Sequence, residues 1–260
     1  MSVPDDLRSD HALLMQAVRE GGDIARSFFK KDPKSWEKNP GDPVTEADIA
    51  VDGLLHERLC ENRPYYGWLS EETEDDLSRL DRHRVWIVDP IDGTRAFIAG
   101  REEFTVCAGL VENGRPVLGA VFNPITDEFF EAVKGHGARC NGESLQTHDG
   151  VALEEARMLA SQRMLERREG IGALPRAQFS FINSIAYRMA LVARNRFDAT
   201  ISLAKKSDWD IAAAELIVTE AGGQAAAPDG SPFLYNTQTA RHDGVVAAGP
   251  QLFKEILSRL

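Results

Sequence analysis

Residues 86–94 are the most informative part of the sequence and read Trp86-Ile87-Val88-Asp89-Pro90-Ile91-Asp92-Gly93-Thr94. Its apolar start predicts a strand, which ends in two carboxylates three positions apart, with a proline stiffening the turn between them. Hard cations such as Mg²⁺ prefer carboxylate and carbonyl oxygens, so Asp89, the Ile91 carbonyl and Asp92 are candidate ligands of shared ions. The alternative interpretation is a surface turn whose acids cap a helix.

Two further stretches place acids at the ends of apolar runs. Glu71 and Glu72 follow the short run of residues 67–70, and Asp210 stands at the start of an apolar helix predicted over residues 209–221. Taken alone, residues 71–76 are equally consistent with a solvated acidic loop. Asp210, taken alone, is equally consistent with an acid that interacts favourably with the helix dipole. Together with the first stretch, they supply the four or five carboxylates that two or three divalent ions require.

The composition excludes several classes of protein. The chain has 260 residues, of which 43% are hydrophobic and 27% charged, so it can bury a substantial core and is not disordered or fibrous. Its formal net charge of −11 disfavours binding to nucleic acid and to anionic membranes. A phosphorylated substrate therefore needs local cations around the site.

Cysteine usage and the N-terminus indicate the compartment. Cys60, Cys107 and Cys140 are odd in number and widely spaced, which suggests neither a complete disulfide framework nor a zinc site. The first fourteen residues are acidic and lack an apolar signal core, and no run approaches the roughly 18 apolar residues of a membrane span. We therefore expect a soluble, cytoplasmic protein.

Hydrophobic periodicity predicts two α-helices before the central strands. Apolar residues at spacings of three and four predict the first helix over residues 10–29. Residues 30–43, with their prolines and glycine, predict a mobile loop. Thr45 then begins a capping box with Asp48, which predicts the start of a second helix whose buried face contains Val51, Leu54, Leu55 and Leu59.

The pattern of apolar and polar residues changes twice after the second predicted helix. Short apolar runs between residues 85 and 133, separated by turn signals, predict an antiparallel meander. Beyond about residue 150, strands and helices alternate, which indicates an α/β arrangement. We predict an N-terminal α+β metal-binding domain over residues 1–149 and an α/β domain over residues 150–260, with the active site at their interface.

Three of these stretches together resemble the inositol monophosphatase superfamily of Mg²⁺-dependent, lithium-sensitive phosphatases. The matching segments are the acidic loop at residues 70–72, the W-I-x-D-P-I-D-G-T motif at residues 86–94 and the W-D-x-A-A-x-x-L-I-x-x-E-A-G-G motif at residues 209–223. The resemblance implies a layered αβαβα sandwich, and commonly a homodimer. Neither expectation follows from periodicity.

The resemblance also implies roles for individual residues. Glu71, Asp89 and the Ile91 carbonyl would hold a first Mg²⁺, and Asp89, Asp92 and Asp210 a second, with a third, weaker ion near Glu71 and Asp48. Thr94 and Glu71 would orient the attacking water, whose pKa the metal lowers. The remaining implied substrate contacts are Asp92, Gly93, Thr94, Ser184 and Asp210.

The identity of the phosphate ester is less strongly indicated. Inositol monophosphatases usually carry a polyol-binding acid shortly before the W-D motif, but residues 200–207 contain none and offer Lys205 and Lys206 instead. Two lysines suit a second anionic group, or simply form a solvated loop. Arg163, Arg167, Arg168 and Arg176 form a second candidate anion site, or ordinary surface charge.

Residues 93–106 are similar to the 3′(2′),5′-bisphosphate nucleotidase branch, which often reads G-T-x-x-F-I and then E-F-T-V. That branch removes the 3′-phosphate of adenosine 3′,5′-bisphosphate. Inositol-1-monophosphatase, histidinol-phosphatase and sugar-(bis)phosphatase activities stay open as alternatives. A non-enzymatic alternative is a regulatory protein-binding partner. The six histidines form no zinc-hydrolase pattern, and there is no G-x-S-x-G nucleophile motif.

Overall fold

The computed structural model describes residues 5–166 and 177–260. In these two ranges the chain forms seven α-helices, which are α1 Asp5–Phe28, α2 Glu46–Asn62, α3 Thr94–Ile98, α4 Gln162–Glu166, α5 Ile185–Ala193, α6 Asp208–Glu220 and α7 Pro250–Leu257. The strands before residue 150 are β1 Ser35–Asn39, β2 Asp42–Thr45, β3 Gly67–Ser70, β4 Arg84–Asp92, β5 Thr105–Glu112, β6 Arg115–Asn123, β7 Glu128–Val133, β8 Ala138–Cys140 and β9 Glu143–Ser144. Those after it are β10 Arg157–Ala160, β11 Gln178–Ser180, β12 Ala199–Ser202, β13 Lys206–Ser207, β14 Gln224–Ala226, β15 Arg241–His242 and β16 Val245–Ala248.

The larger sheet has seven strands in the order β3-β4-β5-β6-β7-β8-β9. From β4 onward each strand pairs antiparallel with the next, whereas β3 pairs parallel with β4. The predicted antiparallel meander over residues 85–133 is therefore confirmed. Strand β3 and the short strands β8 and β9 extend it at both edges.

The smaller sheet has five strands in the order β11-β10-β12-β16-β14. Strand β10 pairs parallel with both β11 and β12, and β16 pairs antiparallel with β12 and β14. Helices α5, α6 and α7 alternate with these strands along the chain, as the predicted α/β pattern requires.

The helices and sheets stack as layers because neighbouring residues of β4 face opposite sides of the larger sheet. Trp86 and Val88 are buried with α1 and α2, whereas Val85 and Ile87 are buried with α5 and α6. A third buried cluster joins the smaller sheet to α7. The order α1/α2, larger sheet, α5/α6, smaller sheet, α7 confirms the expected αβαβα sandwich.

Residues 30–43 differ in part from the loop predicted for them. Strands β1 and β2 pair as an antiparallel hairpin, with a bulge between Glu37 and Asn39. The turn uses Gly41 at a φ of +79°, and Val44 is fully buried. Sequence periodicity missed this hairpin because β1 is exposed along most of its length and carries no apolar alternation.

The expected division of the chain at residues 149 and 150 stays a prediction. All strands of the larger sheet lie before that point and all strands of the smaller sheet after it. Helix α6 nevertheless covers the larger sheet, and residues from both sides of residue 150 share one buried cluster. None of the described helices combines the length and the hydropathy needed to cross a membrane.

Helix α6 approaches the larger sheet closely because two glycines lie beneath it. Gly109 and Gly119 are opposite each other on β5 and β6, and both face the backbone of Ala213. A Cβ atom on Gly119 would lie 2.5 Å from the Ala213 carbonyl oxygen and 3.1 Å from its Cα atom. The helix that carries Asp210 is therefore seated directly on the sheet that carries Asp89 and Asp92.

We expect Gly119→Ala to lower the free energy of unfolding by about 1–3 kcal/mol, because the added methyl group must push α6 away from the sheet. The matched control is Gly53→Ala in α2, where a Cβ meets nothing within 4 Å. That change should stabilise the protein by roughly 0.5–1 kcal/mol. Urea unfolding of both variants measures the difference, and equal midpoints would contradict the close seating of α6.

Candidate metal centre and active site

Asp89 and Asp92 lie at the carboxyl end of β4 and point to the same site because of a β-bulge. Asp89 is opposite Cys107 and Asp92 is opposite Thr105, so three steps along β4 match two along β5. In a regular strand, residues three apart face opposite sides of the sheet. The extra residue corrects this alternation and brings both carboxylates to one side.

Asp210 reaches the same place from α6. It is the third residue of that helix, and one of its carboxylate oxygens accepts a hydrogen bond of 2.6 Å from the Ser207 amide, as in a capping box. Oxygens of Asp89, Asp92 and Asp210 lie within 4.8 Å of one another. Asp210 thus has both of the roles considered for it: it stabilises the start of α6 and it belongs to the acidic cluster.

Glu71 comes from the loop after β3, which a buried carboxylate holds in place. Asp52 of α2 accepts hydrogen bonds from the hydroxyls of Ser70 and Thr73, on either side of the Glu71-Glu72 pair, the second at 2.8 Å. Glu71 also donates its amide to the Val88 carbonyl at 3.3 Å. These contacts fix the acidic loop against β4.

Lys38 of the β1–β2 hairpin brings a positive charge to this loop. Its Nζ lies 3.1 Å from Glu71 Oε1 and 2.7 Å from Glu72 Oε1. The hairpin therefore reaches across the site and partly neutralises the acids. Neither Asp52 nor Lys38 was among the predicted site residues, because one looks like a helix-surface acid and the other like a loop charge.

The acidic groups are held at high electrostatic cost. Burial raises the pKa of Glu71 to about 7, with the charges of Asp210 and Glu72 adding to it and Lys38 opposing it. Burial and the Asp210 charge raise the pKa of Asp92 to about 6, and Asp89 and Asp210 also have raised pKa values, chiefly through burial. Within the described part of the chain, the buried Asp89 Oδ1 has no hydrogen-bond partner. A carboxylate-rich set with an orphaned oxygen fits hard divalent cations.

Thr94, the first residue of α3, and Asp48, in the first turn of α2, lie beside the cluster. The Thr94 hydroxyl lies 3.2 Å from Asp48 Oδ1 and 3.0 Å from the Ile91 carbonyl oxygen. The other Asp48 oxygen accepts from the amide and the hydroxyl of Thr45, which confirms the predicted capping box. Gly93 turns the chain at a φ of +101°, where a Cβ would press on the Glu103 carbonyl oxygen and the Ser184 amide.

Ser184, which caps α5, lies behind Asp92. Its fully buried hydroxyl donates to Asp92 Oδ2 at 2.6 Å, and the same oxygen accepts from the Ala186 amide at 2.6 Å. The Ser184 oxygen also accepts from the Tyr187 amide. The observed role of Ser184 is to orient Asp92, and its predicted contact with substrate stays a prediction.

A cavity of about 470 Å³ lies in front of the acidic cluster. The predicted site residues that line it are Glu71, Asp89, Ile91, Asp92, Gly93, Thr94 and Asp210. Arg188, Lys205, Lys206 and the half-exposed ring of Phe181 also line it. The structure thus gathers the predicted ligands around one space, although their individual roles stay predictions.

The second candidate anion site, the four arginines between residues 163 and 176, is not found at this cavity within the described part of the chain. Arg163 is exposed on α4 and is not among the cavity residues, whereas Arg167, Arg168 and Arg176 lie outside the described residues. Sequence reasoning missed Arg188 because it sits in an otherwise apolar helix. Its spacing of four from the N-cap Ser184 was the available signal, since this spacing places both residues on one helix face.

Comparison with known proteins gives consistent matches. Residues 6–260 match the family model of the inositol monophosphatase family. The chain is similar to inositol monophosphatase 2 of Solanum lycopersicum, with 34% identity over 84% of this chain and 87% of that one. It is also similar to the Nus factor SuhB of Haemophilus influenzae, with 30% identity over 95% and 94% of the two chains. The structure of an inositol monophosphatase from Zymomonas mobilis superposes with a TM-score of 0.82 and 30% identity, covering 98% of this chain and 99% of that one.

The raised carboxyl pKa values predict how stability depends on pH. Glu71 and Asp92 bind protons more tightly in the fold than their ordinary values of 4.5 and 3.8 allow. Between about pH 4 and pH 7, the metal-free folded protein therefore binds more protons than the unfolded chain. Its free energy of unfolding should fall as the pH rises through this window.

Urea unfolding at pH 5, 6, 7 and 8 with EDTA measures this decline. Saturating Mg²⁺ should reduce the slope, because a divalent cation favours the deprotonated carboxylates. The difference between the EDTA and Mg²⁺ series isolates the cluster from other titrating groups. A metal-free protein that becomes more stable from pH 5 to pH 7 would contradict the assignment.

We expect Asp89→Asn to abolish stabilisation by Mg²⁺ while leaving the metal-free protein folded, because the change removes a buried, unpaired charge. For the unmodified protein, Mg²⁺ at 100 times its Kd should add about 2.7 kcal/mol to the free energy of unfolding. Glu74→Gln, an exposed acid of the same loop, is the matched control and should keep the full increment. Thermal unfolding with and without Mg²⁺ checks both variants, and an unchanged increment in Asp89→Asn would refute its role as a ligand.

Proposed function

The chain belongs to the inositol monophosphatase family of Mg²⁺-dependent phosphatases, and within it we propose that the protein removes the 3′-phosphate of adenosine 3′,5′-bisphosphate. The observation that carries this proposal is the cavity itself. An acidic cluster suited to divalent cations and the cationic side chains of Arg188, Lys205 and Lys206 line the same cavity. A bisphosphate places one phosphate at the metal side and the other at the cationic side.

We propose two or three Mg²⁺ positions from the donors present. Glu71, Asp89 and the Ile91 carbonyl would hold one ion, and Asp89, Asp92 and Asp210 a second, with a third and weaker position near Glu71 and Asp48. When bound, Mg²⁺ supplies Lewis-acid charge at the phosphoryl group and lowers the pKa of the attacking water. Asp89 would contribute to both positions, and its buried oxygen without a hydrogen-bond partner supports such a role.

The chain's own residues position the reactants in this proposal. The Thr94 hydroxyl donates toward Asp48 or the Ile91 carbonyl, so its oxygen accepts a hydrogen bond from the attacking water. Glu71 accepts the second hydrogen bond of that water. We also propose that the amides of Gly93 and Thr94 donate to a phosphate oxygen, while Ser184 and the Ala186 amide keep Asp92 oriented.

The substrate side supports a bisphosphate over a neutral polyol phosphate. Residues 200–207, which approach the cavity, contain no acid that would accept hydrogen bonds from polyol hydroxyls. Burial raises the pKa of Asp92, and the positive charge of Lys206 opposes this rise, which supports a place for Lys206 near the anionic part of the substrate. Inositol-1-phosphate hydrolysis is the second candidate, because similar proteins are named inositol monophosphatases.

A regulatory role in binding another protein is the non-enzymatic candidate, since another similar protein is named a Nus factor. We further propose that the protein acts as a cytoplasmic homodimer without binding nucleic acid or membranes. These last points rest on the family resemblance, the net charge of −11 and the odd number of cysteines.

The proposal predicts a clear order of substrates. We expect Mg²⁺-dependent release of inorganic phosphate from adenosine 3′,5′-bisphosphate with a kcat/KM at least about tenfold above that for inositol 1-phosphate, histidinol phosphate or fructose 1,6-bisphosphate, which corresponds to about 1.4 kcal/mol. Li⁺ should inhibit the release, as is typical of the family. Asp210→Asn serves as the inactive control and Glu74→Gln as the active one.

The outcomes separate the candidates. A preference for inositol 1-phosphate would overturn the nucleotidase assignment and support the second candidate. Release from no ester by a folded, Mg²⁺-binding protein would favour the regulatory role. Full activity in Asp210→Asn would refute the site.

A further inference from the structure

Arg188 carries a buried positive charge at the wall of the cavity. It lies in α5 with only 5% of the residue exposed, and its Nε donates to the Ile182 carbonyl. Burial lowers its pKa to about 10, with Asp92 acting in the opposite direction, so it stays protonated at neutral pH. A guanidinium in this position adds charge to the cavity and contributes little to solubility.

No carboxylate pairs with Arg188 among residues 5–166 and 177–260. Arg79, the other arginine among the described buried residues, does have a carboxylate partner: it donates to Asp75 at 2.7 Å and at 3.0 Å. An unpaired buried guanidinium costs free energy, and an anion that binds it offsets this cost. The planar donors of arginine match the oxygens of a phosphate or a carboxylate.

The neighbouring ring fixes the guanidinium at the cavity. The Arg188 Cζ atom lies 4.3 Å from the centroid of the Phe181 ring, a cation–π distance. Phe181 itself is 57% exposed and lines the cavity. The pair therefore presents a held charge beside an apolar face, which suits an anion attached to an apolar or planar skeleton.

The observed contacts of the Arg188 side chain do not include the acidic cluster. Its backbone amide donates a hydrogen bond to the Ser184 carbonyl at 3.2 Å, and Ser184 in turn donates to Asp92. The Arg188 side chain itself donates to the Ile182 carbonyl and contacts the Phe181 ring. In the described part of the chain its other guanidinium donors are therefore open to a group in the cavity.

We propose that Arg188 is a specificity-determining residue that binds a second anionic group of the substrate, so that the preferred esters carry a phosphate or carboxylate besides the one removed. This inference rests on the proposed phosphatase function and adds a residue outside the three sequence motifs. Lys205 and Lys206 lie at the same cavity and are more exposed, so they attract the anion, while Arg188 fixes it.

A pair of substrates that differ in one group tests the inference. Adenosine 3′,5′-bisphosphate and adenosine 3′-monophosphate share the scissile ester, and only the first has a second anion. In Arg188→Gln we expect the KM for the bisphosphate to rise by about 10- to 100-fold, as for loss of a charged hydrogen bond. The KM for the monophosphate should change less than about threefold, and kcat should change little for either.

Arg188→Lys keeps the charge and should restore part of the loss. Arg26→Gln, an exposed arginine of α1, is the matched control and should behave as the unmodified protein. Equal losses on both substrates in Arg188→Gln would overturn the inference and assign the residue a structural role. If that variant does not fold, Arg188→Lys decides, because a weakened preference for the bisphosphate supports the inference and an unchanged preference contradicts it.

A binding measurement separates this inference from the proposed function. With EDTA present, we expect calorimetry to show that the protein binds adenosine 5′-monophosphate more tightly than adenosine, and that Arg188→Gln removes the difference. This readout needs neither metal nor turnover, so it still applies if no ester is hydrolysed. No difference between the two ligands in the unmodified protein would overturn the anion site.

Discussion

The structure depends on holding several largely buried carboxylates close together at one cavity. Asp89 is almost fully buried, and Asp92 and Asp210 lie within 4.8 Å of it. Both burial and mutual repulsion oppose their ionisation. Such a group cannot be assembled by flexible loops alone, because the repulsion would drive the chain segments apart. Strand β4 and helices α5 and α6 hold these carboxylates in place.

The repulsion between the carboxylates is offset in part because some of these acids also stabilise the starts of helices. Asp48 and Asp210 are both third residues of helices, and each closes a capping box, with Thr45 and Ser207 as the caps. Asp92 accepts from the hydroxyl that caps a third helix, α5. The hydrogen bonds that begin these helices therefore also set the directions of the site carboxylates. The same hydrogen bonds that stabilise the scaffold therefore orient the carboxylates of the site.

Sequence reasoning succeeded where local chemistry and position in the fold agree. The capping box at Thr45, the meander and the α/β pattern are visible in residue spacing, and the motifs that contain Asp89 and Asp210 indicated the site. It failed where a residue's role depends on distant partners. Asp52, Lys38 and Arg188 act across 18 residues or more of sequence, or against a cavity that exists only after folding. The β1–β2 hairpin was missed for a related reason, because an exposed strand has no periodic apolar side.

The close contact of α6 with Gly109 and Gly119 also bears on how the protein is made. The first 150 residues include the whole larger sheet, but the helix that covers its second face ends only at residue 220. On the ribosome, that apolar face stays bare until the last quarter of the chain emerges, and exposed strands of this kind are prone to aggregate. The chain order of the sandwich thus places the helix that protects this apolar face late in synthesis.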